Sequence, residues 1–287
     1  MLSRLAVFYQ YLLPKQALTI LAGKFANARA GWITTSVIRW FVGYYNVNMQ
    51  EANEPDVTKY LSFNDFFTRS LRPSARPLAE ADFICPIDGA ISQLGPIRDN
   101  QIFQAKGHEY STEALLGGDV DFAGRFKNGE FITLYLSPKD YHRVHMPCNG
   151  KLKRMIYVPG DLFSVNPATA RGVPNLFARN ERVICEFESA EIGSFALVLV
   201  GATIVGSMAT VWHGVVNPPR PGKIRVWQYT DQHIVLNKGD EMGRFLLGST
   251  VVMLFPKNTL RFQHDWTASR VVWQGEAMAQ RMGIKQS

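Results

Sequence analysis

Hydrophobic side chains recur at helical spacing through the first 50 residues, then gather into short, turn-bounded runs after about residue 70. Leu2, Leu5, Tyr9 and Leu12 share one helix face, as do Leu18, Leu21, Ala22 and Phe25; after Gly31 the set Ile33, Val37, Trp40, Phe41 and Tyr44 repeats the pattern. The spacing predicts short amphipathic helices. Two further helical pieces are expected at Ser62–Arg69 and Ser111–Leu116. Phe131–Ser137, Leu152–Val158, Arg182–Glu188, Ile224–Tyr229 and Thr250–Phe255 are short runs bounded by Gly, Pro, Asn or Asp, and each predicts a strand. The expected fold class is therefore α+β, with N-terminal amphipathic helices leading into a β-rich body. Pro73, Pro77 and the neighbouring Arg72 and Arg76 interrupt any regular element in Leu71–Leu78. That segment divides the chain into a helical part, residues 1–75, and a β-rich part, residues 76–287.

One stretch calls for a different test. Residues 192–219 contain no Asp, Glu, Lys or Arg, so length alone would allow a membrane-spanning helix. The stretch is rich in β-branched residues and punctuated by Gly193, Gly201, Gly206 and Gly214. Two buried strands joined near Gly201 are expected instead.

Composition narrows the class. With 46% apolar and 19% charged residues in a chain of 287, disorder and low-complexity fibres are excluded and a substantial core is affordable. Cys85, Cys148 and Cys185 are odd in number and form no CxxC pair, which argues against a disulfide scaffold and fits a reducing compartment. Charge is distributed unevenly. Arg4, Lys15, Lys24, Arg29 and Arg39 meet no acid within residues 1–50, whereas the net charge of the whole chain is +7. A basic, acid-free and apolar segment carrying Trp32, Trp40, Tyr44 and Tyr45 suits an anionic membrane surface rather than nucleic acid. Arg4 and Pro14 break the first apolar run, no cleavage site of the A-x-A type follows closely, and no charge-free run in residues 1–50 spans a bilayer.

Four places carry candidate chemistry: Asp88 in Pro86-Ile87-Asp88-Gly89, His108 in Lys106-Gly107-His108, His142 and His145 in the Tyr141–Pro147 stretch, and Ser249 in Leu247-Gly248-Ser249-Thr250. Each has a plain structural explanation. Asp before Gly is a common turn former. A His pair lacks the third and fourth ligands that zinc needs, and His108 has no evident partner. Together, Asp88, a histidine and Ser249 supply what an activated serine requires: a nucleophile, a base, and an acid that orients the base.

The chain resembles the bacterial phosphatidylserine decarboxylases in PIDGAISQLG (Pro86–Gly95), QAKGHEYS (Gln104–Ser111), LYLSPKDYHRVHMPCNG (Leu134–Gly150), YVPGDLFSVN (Tyr157–Asn166), NLFARNERV (Asn175–Val183), LVGATIVGS (Leu199–Ser207) and EMGRFLLGST (Glu241–Thr250). FNDFFTRSLRP (Phe63–Pro73) extends the likeness into the N-terminal part. The resemblance implies a barrel-sandwich-hybrid type of β core and a proenzyme cut between Gly248 and Ser249 into chains 1–248 and 249–287 that stay associated. It implies that Ser249 becomes a covalent pyruvoyl group after serinolysis by Asp88, His145 and Ser249. That group forms a Schiff base with phosphatidylserine, and His142 serves decarboxylation and substrate positioning. It also implies a peripheral site on the cytoplasmic face of the cell membrane, and is compatible with a homodimer. No metal is expected. A serine hydrolase using the same three residues is the first rival, weakened because Gly248-Ser249-Thr250-Val251 offers no second glycine for a nucleophile elbow. A non-catalytic membrane-binding β module is the second.

Overall fold

Thr250–Phe255 lies at the centre of the architecture, hydrogen-bonded antiparallel to Gly193–Val200 on one side and Glu130–Tyr135 on the other. Its alternate side chains enter different cores. Val251, Met253 and Phe255 join one cluster, and Val252 and Leu254 join the other. Burial on both faces explains why such strands read as unbroken apolar runs. Each buried Val, Leu, Met or Phe contributes on the order of 1.5–3 kcal/mol.

The structure is a computed structural model that describes residues 10, 11, 13–105, 107–203, 207–246 and 250–282. Among these, the main sheet runs Arg225–Gln228, Gly150–Val158, Arg182–Ser189, Gly193–Val200, Thr250–Phe255, Glu130–Tyr135, Gly89–Pro96 and Val271–Val272, with Val235–Leu236 also pairing to Gly150–Val158. Every pairing in it is antiparallel. A smaller sheet, ordered Gly214–Asn217, Met208–Thr210, Glu241–Phe245 and Arg143–His145, contributes Val144, Met208, Val216, Met242 and Phe245 to the first core. Short helical turns around Phe122, Ala170 and Phe177 cover the second. No closed barrel forms among the described residues, and the molecule is α+β as expected.

All five strands expected from sequence are present, with ends within two residues of those anticipated. The charge-free stretch requires a correction. It forms Gly193–Val200, Met208–Thr210 and Gly214–Asn217, three strands rather than two, because the chain leaves the main sheet after Val200 and makes a hairpin in the smaller one.

At the N-terminus, the set Leu2, Leu5, Tyr9 and Leu12 lies outside the described residues. Helices α1 (Lys15–Asn27) and α2 (Trp32–Tyr45) follow, then the short α3 (Phe63–Phe67), which Ser62 caps by accepting from the Asp65 N–H at 3.1 Å. Ile38 and Phe41 of α2, Ala26 of α1 and Phe63, Phe66 and Phe67 of α3 form a separate cluster. The anticipated apolar face of α1 points outward, and that of α2 is split, with Phe41 buried and Val37 packed on the cluster while Ile33, Trp40 and Tyr44 face out. Helix α1 buries Thr19 and Ala26 while Leu21 and Phe25 stay more than half exposed; on α2, Trp32, Trp40 and Tyr44 are likewise exposed. No helix among the described residues is long and apolar enough to cross a membrane.

Candidate active site

Asp88 immediately precedes the Gly89–Pro96 strand, and the reason for its Gly neighbour is steric. A Cβ on Gly89 would meet the Tyr135 carbonyl oxygen at 2.2 Å, so only glycine lets the chain pack there. Asp88 is almost fully buried, and its carboxylate accepts from Arg76 Nε (2.9 and 3.1 Å), from a terminal nitrogen of Arg76 (2.6 Å), and from the Gln274 N–H (2.9 Å). Arg76 also reaches Glu51 at 2.7 Å and lies 4.7 Å from the centre of the Trp273 ring. Burial on its own would favour a neutral Arg76; the two carboxylates outweigh that and raise its pKa.

His145 ends the Arg143–His145 strand, and its backbone N–H donates to the Pro86 carbonyl at 2.9 Å, which ties it to the Asp88 turn. Its Nδ1 lies 2.8 Å from the Gly239 carbonyl and its Nε2 3.0 Å from the Tyr141 hydroxyl. A carbonyl can only accept, so a neutral imidazole carries its proton on Nδ1 and leaves Nε2 as the acceptor. Burial lowers the pKa of His145, against the opposing pull of the Gly239 hydrogen bond, Glu241 and Asp88. Asp88 and His145 are thus linked by charge and through the Pro86 carbonyl, with no hydrogen bond between their side chains among the described residues.

His142 is fully buried. Its Nδ1 donates to the Asp140 carbonyl at 2.7 Å, its ring centre lies 4.0 Å from that of Phe67, and Nε2 has no hydrogen-bond partner among the described residues. Burial, assisted by the positive charge of Arg69, pushes its pKa down to about 3, so it is neutral across the physiological range. Leu247, Gly248 and Ser249 lie outside the described residues. The chain on either side is well placed: the Phe245 N–H donates to the His142 carbonyl at 3.0 Å, the Leu246 N–H to Ser207 at 3.0 Å, and Thr250 pairs with Tyr135 and Val200. His108 begins one strand of a hairpin with Gln101–Ala105.

Arg76, Tyr141 and Gly239 escaped the sequence reading. Tyr141 stands inside a resembling block, next to His142. Arg76 lay in a segment noted only for interrupting structure, and Gly239 acts through a backbone carbonyl, which leaves no side-chain signal.

A family model described as phosphatidylserine decarboxylase matches residues 63–280, and a shorter one described as PSD matches residues 5–46. The chain belongs to the phosphatidylserine decarboxylase family. Three similar relatives carry the name phosphatidylserine decarboxylase proenzyme. The one from Dechloromonas aromatica (strain RCB) is 72% identical, over 97% of this chain and 98% of its own. Those from Herminiimonas arsenicoxydans (68%; 98% and 95%) and Acidovorax ebreus (strain TPSY) (66%; 99% and 100%) are comparable. The matched region includes all of Asp88, His142, His145, Gly248 and Ser249.

Proposed function

We propose that this chain is a proenzyme that cuts itself between Gly248 and Ser249 and then converts phosphatidylserine to phosphatidylethanolamine and CO2. The observation that carries this reading is the fully buried His142, its Nε2 unpartnered among the described residues and its carbonyl accepting from the Phe245 N–H just ahead of residues 247–249, with the half-buried His145 on the adjoining strand.

In the self-cleavage, His145 Nε2 takes the proton of the Ser249 hydroxyl, displacing the Tyr141 hydroxyl from that lone pair. Ser249 Oγ attacks the Gly248 carbonyl carbon, the Gly248–Ser249 amide bond breaks, and an ester replaces it. Loss of the Ser249 Cα proton expels the Gly248 carboxylate from Cβ, and the dehydroalanine so formed takes up water and releases ammonia, leaving a pyruvoyl group at the new N-terminus. Gly239 fixes the His145 tautomer. Asp88 favours the imidazolium through its field rather than through a hydrogen bond.

The donor set suits such a group: an unpartnered imidazole nitrogen in a buried site, and no carboxylate bonded to it. A pyruvoyl group there would supply the electron sink that the twenty standard side chains lack. His142 does the proton work there. Held neutral by burial and with Nε2 unpartnered among the described residues, it would take up a proton at Nε2 before returning it to the carbon that CO2 has left.

Residues 1–75 form the membrane-binding part, lying on an anionic bilayer on the cytoplasmic face of the cell membrane. Support comes from the exposed Leu21, Phe25, Trp32, Trp40 and Tyr44 and from an acid-free, basic first 50 residues.

Mass spectrometry of the purified protein tests the reading. Two chains, the shorter starting with a pyruvoyl group at position 249, are expected from the wild type, and one uncut 32.3 kDa chain from Ser249→Ala. A cut Ser249→Ala protein would overturn it.

A further inference from the structure

Arg69 is 95% buried, with a relative exposure of 5%, yet no carboxylate pairs with it among the described residues. Its Nε has no hydrogen-bond partner among the described residues, one terminal nitrogen reaches the Lys139 carbonyl only at a long 3.4 Å, and the guanidinium lies 5.3 Å from the centre of the Phe66 ring, a contact that takes up none of its donors. Arg182, equally buried at 3%, shows how this fold normally treats such a group: its guanidinium donates to the carbonyls of Leu115 (2.6 Å), Asn180 (3.0 Å) and Ala114 (2.6 Å). A buried guanidinium left with idle donors is costly unless something else occupies them.

Arg69 lines a cavity of about 140 Å³ together with Arg76, Asp88, Lys139, Tyr141 and Trp273. The acids at this cavity are already engaged. Asp88 and Glu51 are held by Arg76, and Asp140 accepts from the Ser137 N–H at 2.7 Å. Arg69 and the exposed Lys139 remain as cations without a carboxylate partner among the described residues. Successive carbonyls of one loop face the two groups concerned, Lys139 to Arg69 and Asp140 to His142 Nδ1. Arg69 also sits close enough to depress the His142 pKa. The cavity therefore adjoins the imidazole assigned to the lipid reaction.

We propose that Arg69 binds the phosphodiester of the phospholipid headgroup, with Lys139 at the rim, and so positions the headgroup amine and carboxylate toward His142. This rests on the decarboxylase reading given above. The phosphodiester is preferred to the substrate carboxylate for a chemical reason. The phosphodiester keeps its charge throughout, so gripping it costs nothing at the transition state. The carboxylate loses its charge as CO2 departs, and an ion pair on it would stabilise the ground state and slow the reaction.

The test compares wild type, Arg69→Gln and Arg69→Lys on phosphatidylserine in mixed micelles, with glycerophosphoethanolamine, free serine and inorganic phosphate as inhibitors. Both variants are expected to self-cleave. Arg69→Gln should raise KM by about tenfold to a hundredfold with kcat little changed, as befits a charge-assisted contact made equally in ground and transition states, and Arg69→Lys should recover part of that. Inhibition by glycerophosphoethanolamine should weaken in Arg69→Gln, while inhibition by serine should not. The reverse pattern would place Arg69 on the carboxylate and overturn the assignment, as would inorganic phosphate matching glycerophosphoethanolamine in potency. Failure of both variants to self-cleave would make Arg69 structural and equally overturn it. A wild type that neither self-cleaves nor releases CO2 would instead sink the underlying decarboxylase reading.

Discussion

Arg76 grips the Asp88 carboxylate with both Nε and a terminal nitrogen, and the same terminal nitrogen reaches Glu51 at 2.7 Å. One guanidinium thereby joins the N-terminal part, through Glu51, to the strand entry that carries Asp88, the acid of the proposed triad. The Arg143 side chain makes a second such tie, donating to the Thr68 carbonyl at 2.9 Å and to Glu241 at 2.9 Å.

Removing Arg76 leaves a buried carboxylate with one backbone donor. Arg76→Met is expected to destabilise the fold by about 3–5 kcal/mol, and the double variant Arg76→Met/Asp88→Asn by clearly less, since the uncompensated charge is gone. Urea unfolding of uncut Ser249→Ala protein carrying each change measures this. Equal losses in single and double variants would show that the pair is not energetically coupled.

The two histidines should separate by phenotype. His145→Ala is expected to remain a single chain, because no base remains for Ser249. His142→Ala should still form two chains and decarboxylate more slowly by roughly 10²–10⁴. Gel analysis and CO2 release decide it; a folded His142→Ala protein that stays uncut would reverse the assignments.

Acid should weaken the fold through His142. Its folded pKa, about 3, lies below the ordinary histidine value, so the unfolded chain binds the extra proton first. Stability from this group is complete above pH 6.5 and falls as pH drops toward about 3, by about 2 kcal/mol at pH 5. His142→Asn should lose less between pH 7 and pH 5 than the wild type does. Parallel losses in urea midpoints would mean that the imidazole is not held neutral.

The outward apolar faces of α1 and α2 should carry liposome binding. Replacing Leu21, Phe25, Trp32 and Trp40 by Ser is expected to abolish sedimentation with anionic vesicles while leaving self-cleavage intact. Salt should weaken wild-type binding, at roughly 1 kcal/mol per basic side chain near the surface. Deleting α2 outright is a poorer experiment, since Phe41 packs against Phe67, whose ring contacts His142. Undiminished sedimentation of the fourfold variant would assign the contact to the β-rich part.

The main strands were legible because a sheet buried on both faces leaves unbroken apolar runs such as Val251–Leu254. Gly89–Pro96 was not, being half exposed and containing Gly, Gln and Pro. The helices were legible by period but not by direction. Spacing shows that Leu21 and Phe25 share a face, while only the packing of Thr19 and Ala26 inward shows that the face looks out. Asp88 and the histidines stood out within resembling blocks. Their partners did not, since the Gln274 N–H meets Asp88 across 186 positions and Gly239 contributes only its carbonyl.

The central position of Thr250–Phe255 has a consequence for the mature protein that the proposed cut between Gly248 and Ser249 would produce. A cut before Thr250 turns the middle strand of the main sheet into the start of a separate polypeptide, still paired on both edges along its length. Nothing covalent then returns that strand to its slot. Folding before the cut is a one-chain event whose yield is independent of concentration. Once the mature protein is denatured, recovery is an encounter between two molecules, one of them a short peptide with an exposed apolar run. Dilution should therefore lower the refolded yield of mature enzyme but not that of the Ser249→Ala precursor, as expected of a fold assembled once, precursor first and the proposed scission second.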